Sequence, residues 1–150
     1  IIQLTDLEFL WLDENLFTGP FPNFNLMPSL MDMNIGQNKF TGGLDRLFDG
    51  SLFPSLTTLV IQDNQFSSTI PTAGLANFTL LENLEAGLSG LTGTVPSEIG
   101  LMTSLERLTL SKNSLRGPIP SEIGLLIHLT HIDVCCNELT GTLPSEWSQL

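Results

Sequence analysis

The sequence predicts an α/β solenoid: a right-handed superhelix with a parallel β-sheet on its concave face and loops or short 3-10 turns on its convex face. Three observations predict it. The chain repeats itself, since LENLEAGLSGLTGTVP (81–96), LERLTLSKNSLRGPIP (105–120) and LTHIDVCCNELTGTLP (129–144) are one stretch rewritten. A polar slot held by Asn15, Asn38, Asn64, Ser89, Asn113 and Asn137 recurs at intervals of 23, 26, 25, 24 and 24 residues. Apolar residues precede that slot at fixed offsets, as Leu105, Leu108 and Leu110 precede Asn113. A period in this range sets the architecture before any local structure is considered, because a two-dozen-residue coil cannot bury its own apolar side and must stack on its neighbours.

Each element follows from a physical requirement. In Leu108-Thr109-Leu110 the alternation is that of a short strand with one face buried. The slot residue stands where the chain leaves the strand. An Asn amide offers two donors and an acceptor to backbone groups that the turn would otherwise bury unpaired. Asn15, Asn38, Asn64, Asn113 and Asn137 are therefore expected to form a buried ladder, and Ser89 to leave the fourth coil locally weaker. Proline follows seven residues after the slot in five of six copies, at Pro22, Pro71, Pro96, Pro120 and Pro144, and sets an extended return segment. Gly117 and Gly141 fall where a Cβ would oppose the turn.

Taken in order, coil one runs over 4–22 with its strand near 9–13. Coil two, 27–45, has Asp45 in place of the proline, and its extra residues, 45–51, are expected to form a helical turn and loop on the outer side. Coil three carries Leu56, Leu59, Ile61 and Asn64, and coil four carries Leu81, Leu84, Ala86 and Ser89. Coils five and six are the most regular. Ser-Glu after proline suits the start of a helical turn near 97–102, 121–126 and 145–150. The expected core includes Leu59, Ile61, Leu108, Leu110, Ile132 and Val134, with Val60, Thr109 and Asp133 outside it.

FTGPFP (17–22), LTGTVPSEIG (91–100), LRGPIPSEIG (115–124) and LTGTLPSEW (139–147) carry a resemblance to the leucine-rich-repeat family, and within it to the plant-type subclass. The resemblance covers essentially the whole chain. It implies a non-catalytic module that recognises a protein or peptide, as in the extracellular part of a receptor-like protein or kinase, or in a secreted inhibitor. It also leaves open a structural scaffold or adhesion array in a multiprotein assembly or cell wall. A secreted or extracellular location is implied, with an intracellular one left open. No cofactor is implied.

The chain reads as a single domain, 1–150, of about six repeats. Ile1 falls in the slot of Ile123 and Trp147, and Leu150 in that of Met102 and Leu126. Solenoids are closed by polar capping repeats, and neither end supplies one, so a fragment of a longer array with further repeats on both sides is expected. The longest apolar runs are too short to span a membrane. Sixteen acids against five bases give a net charge of −11, which argues against nucleic acid and leans toward a basic partner.

The residues carry little chemistry. His131, Asp133 and Cys135 alternate along one strand and share a face. A zinc site needs three or four converging ligands and a thiol nucleophile needs a positioned base, so these three are expected to be solvent-facing positions of the strand. Cys135 and Cys136 are adjacent, where a bridge would be strained, and are expected to be free thiols. No catalytic or metal-binding residue is assigned. Asn77-Phe78-Thr79 is a glycosylation sequon four residues before Leu81, in a slot held elsewhere by Leu26, Leu52, Leu101 and Leu125, and Asn77 is the expected acceptor in a secreted chain.

The expected ligand-binding surface is the concave face. Its candidates are Glu8, Phe9, Trp11, Asp13 and Glu14 of coil one, Asp32 and Asn34 of coil two, Val60 and Gln62 of coil three, and Glu82 and Glu85 of coil four. Nine of the 16 acids stand at outward positions of the strand regions: Glu8, Asp13, Glu14, Asp32, Asp63, Glu82, Glu85, Glu106 and Asp133. Phe9 and Trp11 are aromatic where the repeat does not require it, which fits either a binding hot spot or contact with a preceding coil or scattered surface apolars.

Overall fold

The computed structural model describes residues 4–149. Ile1 and Leu150, on which the reading of the chain ends rested, lie outside the described residues. Six three-residue strands, Phe9–Trp11, Asp32–Asn34, Thr58–Val60, Asn83–Glu85, Arg107–Thr109 and His131–Asp133, pair in parallel in chain order. Their middle residues form one column, Leu10, Met33, Leu59, Leu84, Leu108 and Ile132. This is the solenoid that the period required.

The column faces the core. Met33, Leu59, Leu84 and Leu108 are fully buried, as are Ile35, Ile61, Ala86 and Leu110 two residues on. Burying each large apolar side chain contributes about 1.5–3 kcal/mol, and the stacking of coils is what makes that burial possible. Ile132 and Val134, expected in the core, are only half-buried and pack against its edge. They belong to the sixth coil, the last among the described residues.

Behind the sheet, on the flank, a second set of parallel strands uses the return segments that sequence reading had left merely extended. Thr18–Pro20 pairs with Lys39–Thr41, and Thr92–Gly93, Ser114–Gly117 and Glu138–Leu139 pair in turn. Single bridges from Thr41 to Gln65 and from Thr69 to Thr92 link the two sets. The outer side carries 3-10 helices at Ser97–Leu101, Ser121–Leu125 and Ser145–Gln149, where Ser-Glu after proline placed them. The insertion at 45–51 forms a turn closed by Phe48 N–H donating to Leu44 O (2.9 Å), then a 3-10 helix at Gly50–Leu52 capped by Asp49. A further 3-10 helix, Leu75–Asn77, has no counterpart in the sequence reading.

The slot residues hold adjacent coils together. Asn38 Nδ2 donates to Leu12 O of the preceding coil (2.9 Å) and to Ile35 O and Gly36 O of its own turn, while Oδ1 accepts from Phe17 N–H at 3.1 Å. Asn64 repeats this with Ile35, Ile61, Gln62 and Phe40, and Asn137 with Leu110, Val134, Cys135 and Leu115. Asn38 and Asn64 are buried, while Asn113 and Asn137 are half-buried. Asn15 departs from the expected buried ladder. It is exposed and donates within its own turn to Leu12 O and Asp13 O, and among the described residues no coil lies before it.

Ser89 departs in another way. Its hydroxyl still reaches Ile61 O of the preceding coil (3.0 Å) and Gly87 O of its own turn (3.2 Å). The acceptor that an Asn side chain would have offered Phe66 N–H is replaced by the Ser89 backbone carbonyl, at 3.1 Å. Gly90 follows with φ +77°, a turn that L side chains resist, and a Cβ there would lie 3.0 Å from Ser67 N. Ser89 and Gly90 together therefore replace one asparagine.

Candidate functional site

The inner face is a set of columns, one residue per coil, fixed by strand register. One column reads Phe9, Asp32, Thr58, Asn83, Arg107, His131 and the next reads Trp11, Asn34, Val60, Glu85, Thr109, Asp133. Parallel strands lie ~4.8 Å apart, so such columns offer an evenly spaced track to an extended chain.

Phe9 and Trp11 head the two columns. They are 50% and 64% exposed, and their rings meet edge to face with centroids 5.8 Å apart. This geometry suits aromatic quadrupoles and holds both rings in place without a core around them. Glu8, Glu14 and Glu82 are exposed, and Asp13, Asp32, Asn34, Gln62 and Glu85 are half-buried. Asn34 Oδ1 accepts from Gly36 N–H at 3.0 Å, and Glu85 Oε1 accepts from Asn83 Nδ2 at 3.1 Å, so both side chains are tethered along their own strands.

Val60 is the correction on this face. Expected to be exposed and to touch ligand, it is 8% exposed. It sits in register between Asn34 and Glu85, whose longer side chains flank it. A short branched side chain between longer neighbours becomes the floor of the column, not a contact point.

Sequence reading also missed a depression of about 340 Å³ at the strand exits of coils two to six, lined by Gln37, Asp63, Gly87, Ser111, Lys112 and Asp133 among others. It exists because the position two before the slot is small or absent in places: Gly36, Gly87 and the buried Ser111. That signal is present in the sequence but shows only when the coils are aligned as columns. Gln37, Asp63, Leu88 and Lys112, each the residue before a slot, form part of its rim. They and the residues before the other two slots, Glu14 and Cys136, all adopt left-handed backbone, with φ between 51° and 57°.

Within the depression the Asp133 carboxyl is held below its ordinary range. The Cys135 amide donates to Oδ1 at 3.1 Å, and the Ser111 hydroxyl, the Cys135 thiol and the Lys112 charge act in the same direction. Cys135 is pushed up to about 11 by hydrogen bonding to Cys136 and then by Asp133. A thiol held protonated is a poor nucleophile and a poor metal ligand. Both cysteines are free and exposed, and His131 pairs its Nδ1 with Thr130 Oγ1 at 2.9 Å. Among the described residues no three His, Cys, Asp or Glu side chains converge as a metal site, and no helix is long and apolar enough to cross a membrane.

The acids crowd one end. Glu8, Asp13, Glu14, Asp32, Asp63, Glu82 and Glu85 belong to coils one to four, while Arg107 and Lys112 bring cations to coil five. Asn77, the remaining candidate, lies on the outer side, exposed at the end of its 3-10 helix.

This geometry has close parallels. The Leucine Rich Repeat family model matches residues 104–126 and 128–150. Receptor-like protein 54 of Arabidopsis thaliana is 37% identical over 97 residues, 64% of this chain and 12% of that protein. Receptor-like protein 48 of the same plant is 28% identical over 85 residues, 56% of this chain and 10% of that protein. The chain thus spans about a tenth of the length of the curated relatives it matches. Among solved structures, the ectodomain of the Arabidopsis receptor kinase HAESA, in complex with an N-terminally extended IDA peptide hormone, is 31% identical. That match covers 95% of this chain and 24% of the other, with a TM-score of 0.86. The plant peptide hormone receptor RGFR1, in complex with RGF2, is 32% identical over 89% of this chain and 21% of its own, with a TM-score of 0.83. From its columns, its asparagine ladder and these likenesses, the chain is a leucine-rich-repeat solenoid of the plant type.

Proposed function

We propose that the chain recognises a peptide or protein without catalysis, across the inner face of coils one to four, in the extracellular part of a receptor-like protein. Phe9 and Trp11 anchor the partner, Glu8, Asp13, Asp32 and Glu85 orient it, and its contact segment is basic. The observation that carries this reading is the exposed aromatic pair at the head of two register-fixed columns, bordered by carboxylates. A Trp and a Phe supply large contact area at small entropy cost, which is why such residues dominate binding energetics. The reading is also supported by the complexes named above, since one neighbour is described with a peptide hormone ligand and the other as a peptide hormone receptor in complex with RGF2. An extracellular location is supported by the description of the HAESA neighbour as an ectodomain.

The test is a screen of basic and neutral peptides and secreted proteins against wild type, Trp11→Ala and the charge reversal Glu82→Lys with Glu85→Lys. Loss of a central aromatic anchor is expected to weaken binding by about 2 kcal/mol or more, roughly 30-fold. A ligand that binds both variants as tightly as wild type would move the site off this face.

A further inference from the structure

On the outer side a second column runs from the loop before coil two through the 3-10 turns. It holds Leu26, Leu52, Asn77, Leu101 and Leu125, one per coil from two to six. Leu26, Leu101 and Leu125 are 51%, 52% and 58% exposed. The turns stack backbone on backbone. A Cβ added at Gly50 would lie 2.6 Å from Phe78 N, and one at Gly100 would lie 2.5 Å from Glu122 O. Column neighbours are therefore adjacent in space, and the leucines form an apolar stripe broken at its centre by one amide. Leu52 is half-buried and packs against the core, while Leu26, Leu101 and Leu125 are left exposed, because the turns are anchored by their neighbours Met27, Phe53, Phe78, Met102 and Leu126, all buried.

Asn77 is suited to modification. Asn77 and Thr79 are both exposed, and Phe78 between them is buried and holds the segment down. The turn is closed by backbone, Asn77 N–H to Gly74 O at 3.0 Å, so it does not depend on the Asn77 side chain.

We propose that Asn77 carries an N-linked glycan whose sugars lie over the neighbouring exposed leucines, Leu101 first, and keep the outer stripe from pairing with a second copy of the chain. The donor is a lipid-diphosphate-linked oligosaccharide. Asn77 Nδ2 forms a bond to the anomeric carbon, the bond from that carbon to the diphosphate oxygen breaks, the diphosphate leaves with the electron pair, and the amide nitrogen gives up one proton. An exposed apolar stripe on a repeat protein favours association. A glycan is bulky, solubilising and tied to the surface that bears it, and here the sole break in the stripe among coils two to six is also the acceptor. The proposal shares with the proposed function only the premise of a secreted chain. The inner face takes no part, so the two fail separately.

The test begins with the whole chain produced through a eukaryotic secretory route as wild type, Asn77→Gln, Thr79→Ala and Thr79→Ser. Wild type and Thr79→Ser are expected to carry a glycosidase-sensitive mass increment that Asn77→Gln and Thr79→Ala lack. Secreted wild type without it overturns the modification, whatever Trp11 does in binding. Sugar is then removed enzymatically from the folded wild type, so that no variant has to fold without it. Binding of an apolar dye is expected to rise about two-fold or more, with a shift toward dimers or larger species in sedimentation. Leu101→Ser with Leu125→Ser is expected to return the stripped protein to monomer. Stripped protein that remains monomeric with unchanged dye binding, or that associates regardless of those two substitutions, overturns the shielding.

Discussion

Asn113 makes five hydrogen bonds with one amide group. Nδ2 donates to Ala86 O, Leu110 O and Ser111 O, and Oδ1 accepts from Ser89 N–H and Leu91 N–H. Truncation leaves several of these backbone groups unpaired, so Asn113→Ala is expected to cost ~1–3 kcal/mol. Asn15→Ala removes only bonds within an exposed turn and is expected to cost much less, and equal losses in urea titrations would deny the ladder its bridging role. Gly90→Ala is expected to cost about 1–2 kcal/mol, the penalty for a Cβ on left-handed backbone, while Ser114→Ala at the same slot of the next coil leaves the melting temperature unchanged. That contrast separates the Ser89-Gly90 arrangement from a merely weakened coil. Cys135 yields a third prediction. Raised from 9.0 to about 11, it has about a hundredth of the thiolate of an ordinary cysteine at neutral pH. Its alkylation at pH 8 is expected to be correspondingly slow and to accelerate up to about pH 11. Alkylation of Cys135 at the rate of a free cysteine would show that the Cys136 and Asp133 contacts do not hold it protonated.

At the scale of one coil, cost follows coverage. Leu110 is fully buried between two stacked neighbours, whereas Val134, at the same slot of coil six, is half-buried. Leu110→Ala is expected to cost ~2–5 kcal/mol and Val134→Ala clearly less, as measured by chemical unfolding. A Leu110→Ala loss below about half a kcal/mol would contradict its place in the core. Coils were legible in the sequence because their apolar slots repeat at fixed offsets, and Leu108 and Leu110 could be placed inside with no structure at hand. The outer 3-10 turns were legible from proline followed by Ser-Glu. The flanking ladder was not, because Thr92–Gly93 and Glu138–Leu139 are two-residue pairings without a hydrophobic alternation to announce them. Val60 was misread for a related reason. Alternation assigns a face, but exposure on that face depends on the lengths of Asn34 and Glu85 in neighbouring coils.

Across the whole molecule the inner face is polarised, with acids concentrated in coils one to four and cations entering at coil five. Exposed charges of this kind act mainly on encounter. The association rate with a basic peptide is expected to fall about ten-fold as ionic strength rises from ~0.01 M to ~0.15 M and the screening length shrinks from ~30 Å to ~8 Å. A flat salt dependence would leave the aromatic pair as the sole determinant. The candidate site was half legible in the sequence. Phe9 and Trp11 stood out as aromatics with no core duty, but the depression around Gly87 and Ser111 arises from what side chains leave empty, and one line of sequence does not display that.

The residues before the slots, four of which border that depression, have a consequence for how such an array diversifies. Each sits on left-handed backbone, where a side chain branched at Cβ is strained. Valine, isoleucine and threonine are thereby disfavoured at six positions that otherwise face solvent, and the residues found there are two glutamate-like amide or acid chains, an aspartate, a leucine, a lysine and a cysteine. The central columns are free to drift through the full range of side chains. The positions before the slots drift within a shorter alphabet, in which new specificities are spelled by chain length and charge and not by shape.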